Sequence, residues 1–428
     1  MSILDKNNFH FIGIGGIGTS GLAQILRAKN KNISGSDQNP SEITQNLENK
    51  GVKVFIGHSA KNLSKNVEAV IFSPAIPLDN PELLEAKKRK LPCLSYPQAL
   101  GELTKQYYTI AISGTHGKST TTAMIAIMLT KAGLDPTVIV GTKLREFDNQ
   151  NFRVGKGKYL VIEACEYKNS FLNFHPQLLV ITNVEADHLD FFKNLKNYQK
   201  AFLDMAKKVP KDGLIILGKD KFSEKIAKVA KCRIKKSTNG KLKIEPGIPG
   251  KFNIDNATNA ATVGLELEIP TKIIEKAIKE YGGSWRRMEY VKTKLKKTIF
   301  IDDYGHHPTE IKVTLEAIRS RYPKAKILCI FQPHQHSRTR LLLKDFAKSF
   351  SKVDQLIIPN IYEVRDSKKE VSKITTDDLV KAISRNQKNT LNGNNLEATA
   401  NYIKENHGNF DVIVTMGAGD IAEIYKFL

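Results

Sequence analysis

Short apolar runs closed by small or polar residues, each followed by a stretch with helical spacing, recur along the chain. FHFI stops at glycines and leads into the amphipathic GLAQILRAKN, and further short runs follow near KNISGSD and EAVIFSP. A second block opens with TIAISGTHGKSTTTAMIAIML and includes KYLVIEAC, QLLVITNV and GLIILGK. A third begins near Val291 and holds KTIFIDDYG, AKILCIF, QLIIPN and DVIVTMGAGD. Strands this apolar, separated by helices, predict parallel sheets covered on both faces. The expected fold class is α/β in three domains, with boundaries near 105 and 290: residues 1–105, 106–290 and 291–428. KSTNGKLKIEPGIPGKFN, rich in Gly, Pro and Lys, reads as a loop inside the second domain.

The second block carries the strongest chemical signal. Tyr107 to Ile112 reads as a buried strand, and Ser119 to Ala132 as a helix ended by Gly133. Between them lies Gly114-Thr115-His116-Gly117-Lys118-Ser119, a shortened form of the G-x-x-x-x-G-K-[ST] phosphate loop. A helix N-terminus points N–H groups and its positive dipole end at an anion, Lys118 suits phosphate oxygens and the Ser119 hydroxyl suits Mg²⁺. The first block holds a second cradle, Gly13-Ile14-Gly15-Gly16-Ile17-Gly18, with Asp37 ending the next strand where a ribose hydroxyl would lie. That pattern fits any diphosphate, a dinucleotide or a UDP-sugar alike. A dehydrogenase would leave the Lys118 loop without a task.

Composition narrows the class. Of 428 residues 41% are hydrophobic and 26% charged, as in ordinary soluble proteins. No run of ~18 apolar residues predicts a membrane span, and the start MSILDKNNFHFIG has no secretory pattern. Cys93, Cys165, Cys232 and Cys329 lie far apart without a CxxC pair, which argues against zinc or disulfides and for a reducing cytoplasm. The net charge of +22 is spread along the chain without interleaved aromatics, so it reads as solvated surface rather than a nucleic-acid site, with a sign that draws in anionic substrates.

Around the triphosphate, VIEACEY puts Glu163 at a strand end, and VITNVEADHLD puts Asn183, Asp187 and His188 just past another. Oxygen ligands suit Mg²⁺, so Glu163 is a metal candidate. His188 reads equally as a ligand or as a hydrogen-bonded helix-start residue. In the third block, DDYGHHPTE, FQPHQHSRTR, IYEVRD and TMGAGDI all follow strands and would share one edge of a parallel sheet. Packing does not require His306, His307, His334, Arg338 and Arg340 there, whereas a site would. Pro308 suits a first helical turn.

With these motifs in this order, and with NIDNATNA, RRME and GAGDI, nearly the whole chain resembles the Mur ligases of bacterial cell-wall synthesis. DDYGHHP with FQPH resembles the alanine-adding branch. The resemblance implies a Rossmann-like UDP-sugar domain, a P-loop ATPase-type central domain and a Rossmann-like amino-acid domain. It assigns Gly15, Gly16, Ile17, Gly18, Asp37, His58 and Ser73 to the UDP-sugar. It assigns Gly114, Thr115, His116, Gly117, Lys118, Ser119, Thr120, Asn256 and Arg287 to ATP, with Arg286 and Arg287 as paired arginines between domains. Ser119, Glu163 and His188 go to magnesium, and His334 and Arg338 to the amino acid. Lys118, His188, Asp303, His306, His307 and Arg338 form the implied catalytic set.

The implied reaction joins L-alanine to the lactyl carboxylate of UDP-N-acetylmuramate through an acyl phosphate, with ATP and Mg²⁺ as cofactors. Glycine or serine is the alternative amino acid, and a third-domain histidine or Asp303 is the amine's proton acceptor. The expected partners are UDP-N-acetylmuramate, L-alanine and ATP, with no nucleic acid and no membrane insertion. A monomer or weak homodimer that closes on its substrates is expected. The chain departs from the family pattern at Gln335, where a basic residue is frequent, at Phe252 for histidine, at Cys165 for an acid and at Ser119 for threonine.

Overall fold

The structure, a computed structural model, describes residues 3–428 except Asn239, Arg365 and the side chain of Asp190. Among these residues the strands form three sheets. The first contains β1 (Asn8–Ile12), β2 (Asn32–Asp37), β3 (Lys53–Ile56), β4 (Ala69–Phe72) and β5 (Cys93–Ser95) in the order β3-β2-β1-β4-β5, all parallel. Strand order reverses between β1 and β4, so the loops that follow them diverge and leave a crevice.

The second sheet contains β6 (Tyr108–Ser113), β7 (Thr137–Leu144), β8 (Gln150–Arg153), β9 (Tyr159–Glu163), β10 (Leu178–Ile181), β11 (Leu214–Leu217) and β12 (Arg233–Lys236). Its order is β12-β11-β10-β6-β9-β7-β8, parallel except for the β7–β8 hairpin. β6, which feeds the Lys118 loop, lies between β9 and β10, so the segments after those two strands flank the loop. The loop ends in the helix Lys118–Lys131, one residue earlier than expected. The stretch read as a loop inside this domain becomes helical at Lys251, the first residue of helix Lys251–Glu266.

The third sheet contains β13 (Glu289–Val291), β14 (Ile299–Asp303), β15 (Ile327–Phe331), β16 (Gln355–Ile358), β17 (Thr390–Asn392) and β18 (Val412–Met416). Its order is β13-β14-β18-β15-β16-β17, with only β13 antiparallel. Successive strand side chains point to opposite faces. In β15, Ile327, Cys329 and Phe331 enter one apolar core while Leu328 and Ile330 enter another, so the sheet is buried on both sides. The polar clusters after β14, β15, β16 and β18 leave one common edge.

The chain forms two compact units: one runs through Lys243 and includes Thr258–Ile278, and the other joins Ile244–Ala257 to Lys279–Leu428. Within the first, one continuous core links Ile14, Leu22, Leu100 and Leu103 to Ala111, Phe171 and Phe202. Gly101, in the helix Tyr96–Thr104, lies so close to the Asn173 carbonyl that a side chain would not fit. Among the described residues no helix is long and apolar enough to cross a membrane.

Candidate active site

The crevice of the first sheet is a cavity of about 740 Å³ lined by Gly13, Gly15, Gly16, Asp37, His58 and Ser73, among others. Its glycine loop is pinned from below: Ser36 O accepts the N–H groups of Gly13 and Ile14, and Thr19 Oγ1 donates to Gly13 O at 2.6 Å. Gly13 has φ +79°, and a Cβ there would lie 2.9 Å from that of Ser73. Asp37 accepts the Gly15 N–H at 2.8 Å, so the carboxylate expected at a ribose closes the glycine turn here. Ile17 and Gly18 begin the helix Ile17–Ala28; the Ile17 carbonyl accepts from Asn151 Nδ2 at 2.9 Å, and Gly18 packs against Tyr96.

The Lys118 loop is clamped by the segment after β10. Asn183 accepts the His116 N–H at 3.0 Å and donates back to its carbonyl at 3.0 Å, while Thr182 Oγ1 donates to the same carbonyl at 2.7 Å. Thr115 Oγ1 donates to Glu185 O at 3.0 Å and accepts the Glu185 N–H at 2.8 Å. Gly114 has φ +136° and presses on Thr182, so no larger residue fits. No side chain caps the helix that starts after Gly117, and Ser119 and Thr120 are buried in its first turn. The loop is therefore held in shape while the positive helix end faces outward.

Lys118 Nζ donates to Gly114 O at 2.6 Å and Thr115 O at 3.0 Å and pairs with Glu166 Oε2 at 3.2 Å. Burial alone would lower its pKa, but Glu166, with Cys165, Glu163 and Asp187 nearby, holds it above the ordinary lysine value. Glu166 is fully buried; it accepts from Tyr198 OH at 2.9 Å and lies 3.8 Å from His188 Nε2. Glu166, Asp187 and His188 bring their ligand atoms within 4.8 Å of one another. Two carboxylates and an imidazole, with the Ser119 hydroxyl at the helix start, are a donor set that fits a divalent cation bound together with phosphate oxygens. Glu163 instead accepts the Gly141 N–H at 2.8 Å. Cys165 is open to solvent, yet the dense surroundings and neighbouring Glu166 push its thiol up to about 12, so it stays neutral.

The polar edge of the third sheet divides into supports and presented groups. Asp303 accepts the N–H groups of Met288 and Gly305, both at 2.9 Å, so its carboxylate builds the turn. His307 is the N-cap of helix Pro308–Arg321; its Nδ1 accepts the Thr309 N–H at 3.3 Å, which leaves the neutral ring's proton on Nε2. His306 Nδ1 lies 3.1 Å from Tyr304 O and 3.5 Å from Glu310 Oε2, both acceptors, so Nδ1 carries a proton.

His334 stacks on Tyr362 with ring centroids 5.5 Å apart, and 6.1 Å from His306. Gln335 is buried and donates to Val364 O at 3.3 Å, so it serves the loop rather than the open edge. Arg338 lies in the helix His336–Leu341, while Arg340 pairs with Glu370 at 3.2 Å. Arg365, in the IYEVRD cluster, lies outside the described residues. Arg286 is buried against Asp302, whereas Arg287 lies over Tyr304 and 4.0 Å from Glu310. Asn256 Nδ2 donates to Asn253 Oδ1 at 3.3 Å, and Phe252 packs on the apolar core of its own unit.

Burial pushes the Asp303 carboxyl up from 3.8 to about 6, against the pull of Arg287 and the Met288 and Gly305 N–H groups. An acid that binds its proton more tightly when folded makes the fold more stable below about 4 than above about 6. The gap between 3.8 and about 6 corresponds to at most ~3 kcal/mol. Thermal melts of the wild type and Asp303→Asn should differ in slope across that window: the wild type loses stability relative to the variant as pH rises. Parallel curves would contradict the assignment.

Of the residues around Lys118, Glu166 and Tyr198 are not among the candidates read from the sequence. The second glutamate of EACEY was a legible signal for the first, but Tyr198, brought in by helix Leu195–Ala206, had none.

Three family descriptions match the chain in order: "Mur ligase family, catalytic domain" over residues 8–108, "Mur ligase middle domain" over 112–240 and "Mur ligase, glutamate ligase domain" over 286–419. The chain is 40% identical over 452 aligned positions to the UDP-N-acetylmuramate–L-alanine ligase of Clostridium botulinum strain Okra, covering 99% of this chain and 97% of that protein. Among solved structures it is similar to the UDP-N-acetylmuramate–alanine ligase MurC of Thermotoga maritima, with TM-score 0.81, 26% identity and 98% of each chain covered. A murein peptide ligase of Psychrobacter arcticus shares the fold, with TM-score 0.73, 22% identity and 98% of each chain covered.

Proposed function

The chain belongs to the Mur ligase family, and from that premise we propose that it joins L-alanine to the lactyl carboxylate of UDP-N-acetylmuramate at the expense of ATP, in the cytoplasm. The observation that carries this reading is the full-length likeness to ligases of that name, 40% identical over 99% of the chain. The clamped phosphate loop supports the ATP step, and the glycine crevice supports a diphosphate-bearing sugar.

In this reaction a lactyl carboxylate oxygen attacks the γ-phosphorus, the bond to the β,γ-bridging oxygen breaks and ADP leaves, giving an acyl phosphate. The alanine amine attacks the activated carbonyl, and orthophosphate departs with the carboxylate oxygen. Lys118 exchanges the Gly114 and Thr115 carbonyls for phosphate oxygens, with the loop N–H groups beside it. Ser119, Glu166, Asp187 and His188, with Glu163 at the neighbouring strand end, would hold magnesium, which when bound offsets charge on the β- and γ-phosphates.

His306, held after β14 by Tyr304 O, is the third-domain histidine that takes the amine's proton. Asp303 and His307, whose acceptor atoms take backbone N–H groups, shape the edge beside it. His334 and Arg338 receive the amino acid, and Arg287 and Asn256 contact the nucleotide.

Oxygen tracing tests the sequence of steps. With ¹⁸O in the lactyl carboxylate, one labelled oxygen is expected in each orthophosphate released with alanine present. Unlabelled phosphate would remove the acyl phosphate from the scheme. Absence of turnover with alanine, but turnover with another amino acid, would move the chain to another branch of the family.

A further inference from the structure

Behind the first-sheet cavity lies a buried polar cluster to which no role has been assigned. Its centre is Glu82, fully buried in the first turn of helix Pro81–Lys88. One carboxylate oxygen accepts from Asn62 Nδ2 at 2.6 Å and from the Ser59 N–H at 3.2 Å. The other accepts from Ser36 Oγ at 2.5 Å and from His10 Nε2 at 3.3 Å. His58 Nδ1 lies 3.7 Å from Glu82 and 3.1 Å from Ser36 Oγ. Burial favours the neutral acid, but the bonds from His10, Ser36 and Asn62 outweigh it and keep the carboxyl below the ordinary glutamate range. A helix N-cap does not need this cluster: Asn80 already caps the helix through the Glu82 and Leu83 N–H groups.

An ionised carboxylate only accepts hydrogen bonds, so the Ser36 hydroxyl proton is committed to Glu82. The nitrogen of His58 that faces the pair must then be the donor, and the neutral ring's proton sits on Nδ1. His58 lines the cavity while Nδ1 turns away from it, so the nitrogen left for a ligand is Nε2, with its lone pair. His58 follows β3 and Asp37 ends β2, on the side of the glycine loop away from Ser73 and β4. A nucleoside attached to a diphosphate on the glycine loop extends over that side.

We propose that Glu82, through Ser36, is a positioning residue that fixes the His58 tautomer so that Nε2 accepts a hydrogen bond from an N–H or O–H of the nucleoside part of the bound UDP-sugar. The proposal rests on the reading of this cavity as the UDP-sugar site. Glu82 touches no ligand itself; it orients and tautomerically locks the group that does, as outer partners do for ligating histidines. A Glu82→Gln amide presents both a donor and an acceptor, so the ring is free to turn its other tautomer to the cavity.

The test is calorimetric titration of the full chain with UDP-N-acetylmuramate, for the wild type, Glu82→Gln, His58→Ala and the double variant. Glu82→Gln is expected to weaken binding about 10-fold, to raise KM for the UDP-sugar rather than lower kcat, and to add nothing in the His58→Ala background. Ser36→Ala, a milder change, gives the same pattern if Glu82→Gln does not fold. UDP methylated at uracil N3 and 2′-deoxy-UDP separate the two donors: the analogue lacking the relevant one binds wild type and Glu82→Gln equally. Wild-type affinity in Glu82→Gln, or losses that multiply in the double variant, would overturn the proposal while the cavity keeps its ligand. A wild type that does not bind UDP-N-acetylmuramate would overturn the cavity reading and the proposal with it.

Discussion

Lys118→Ala is expected to lower the alanine-dependent release of phosphate by about 10³-fold or more. In the proposed reaction the ammonium is the charge that the loop brings to the phosphates, and no other cation is bonded to the Gly114 and Thr115 carbonyls among the described hydrogen bonds. The same substitution also leaves Glu166, fully buried, without its cation. Removing one partner of a buried pair costs up to about 3–5 kcal/mol, so the variant should melt earlier as well. The two effects separate in Lys118→Ala/Glu166→Gln, where the neutral amide still accepts from Tyr198 OH. That double variant should regain most of the melting temperature and none of the turnover. Turnover that returned with stability would take Lys118 out of phosphoryl transfer.

Arg286→Ala should destabilise the third-sheet unit by about 3–5 kcal/mol. The guanidinium is buried and makes three bonds to two segments: Nε donates to Asp302 Oδ2 at 2.8 Å, Nη1 to Gly419 O at 3.1 Å and Nη2 to Gly417 O at 2.6 Å. Alanine strands the Asp302 carboxylate, whose burial already raises its pKa. Arg286→Lys should recover little, because an ammonium cannot fork across the ends of β14 and β18. Arg287→Ala should change stability by no more than about 1 kcal/mol, as expected for a partly exposed pair, and should instead raise KM for ATP. Chemical denaturation of the three variants, with activity measured on each, checks the contrast. Equal stability losses at the two arginines would contradict it.

The apolar strands and the βα order were legible because burial on two faces forces continuous hydrophobic runs such as LLVI in β10 and ILCIF in β15. Edge strands were not: β12 reads RIKK and β17 TLN, where one side of the ladder meets solvent and no apolar run is required. The β7–β8 hairpin was equally hidden, since its antiparallel pairing interrupts a parallel pattern. In the site, the phosphate loop and the glycine turn after β1 could be read directly. The choice between Glu163 and Glu166 could not: they stand three residues apart, and only the turn after β9 decides which carboxylate faces Lys118.

By itself the sequence determined what is local: where the chain needs glycine, where a helix starts on a Gly-Lys-Ser turn, and which histidines and arginines gather after strands. Tertiary structure decided which of these groups are presented and which are supports. His307, Asp303 and Arg286 look as chemical as His306 and Arg287 in one dimension. In three they are committed to an N-cap, a turn and a strap between strands. The reason is distance along the chain: Tyr198 meets Thr115 across 83 residues and Arg286 meets Gly417 across 131. A hydrogen bond of that span leaves no periodic trace near either partner, because its geometry is set by strand order rather than by neighbouring residues.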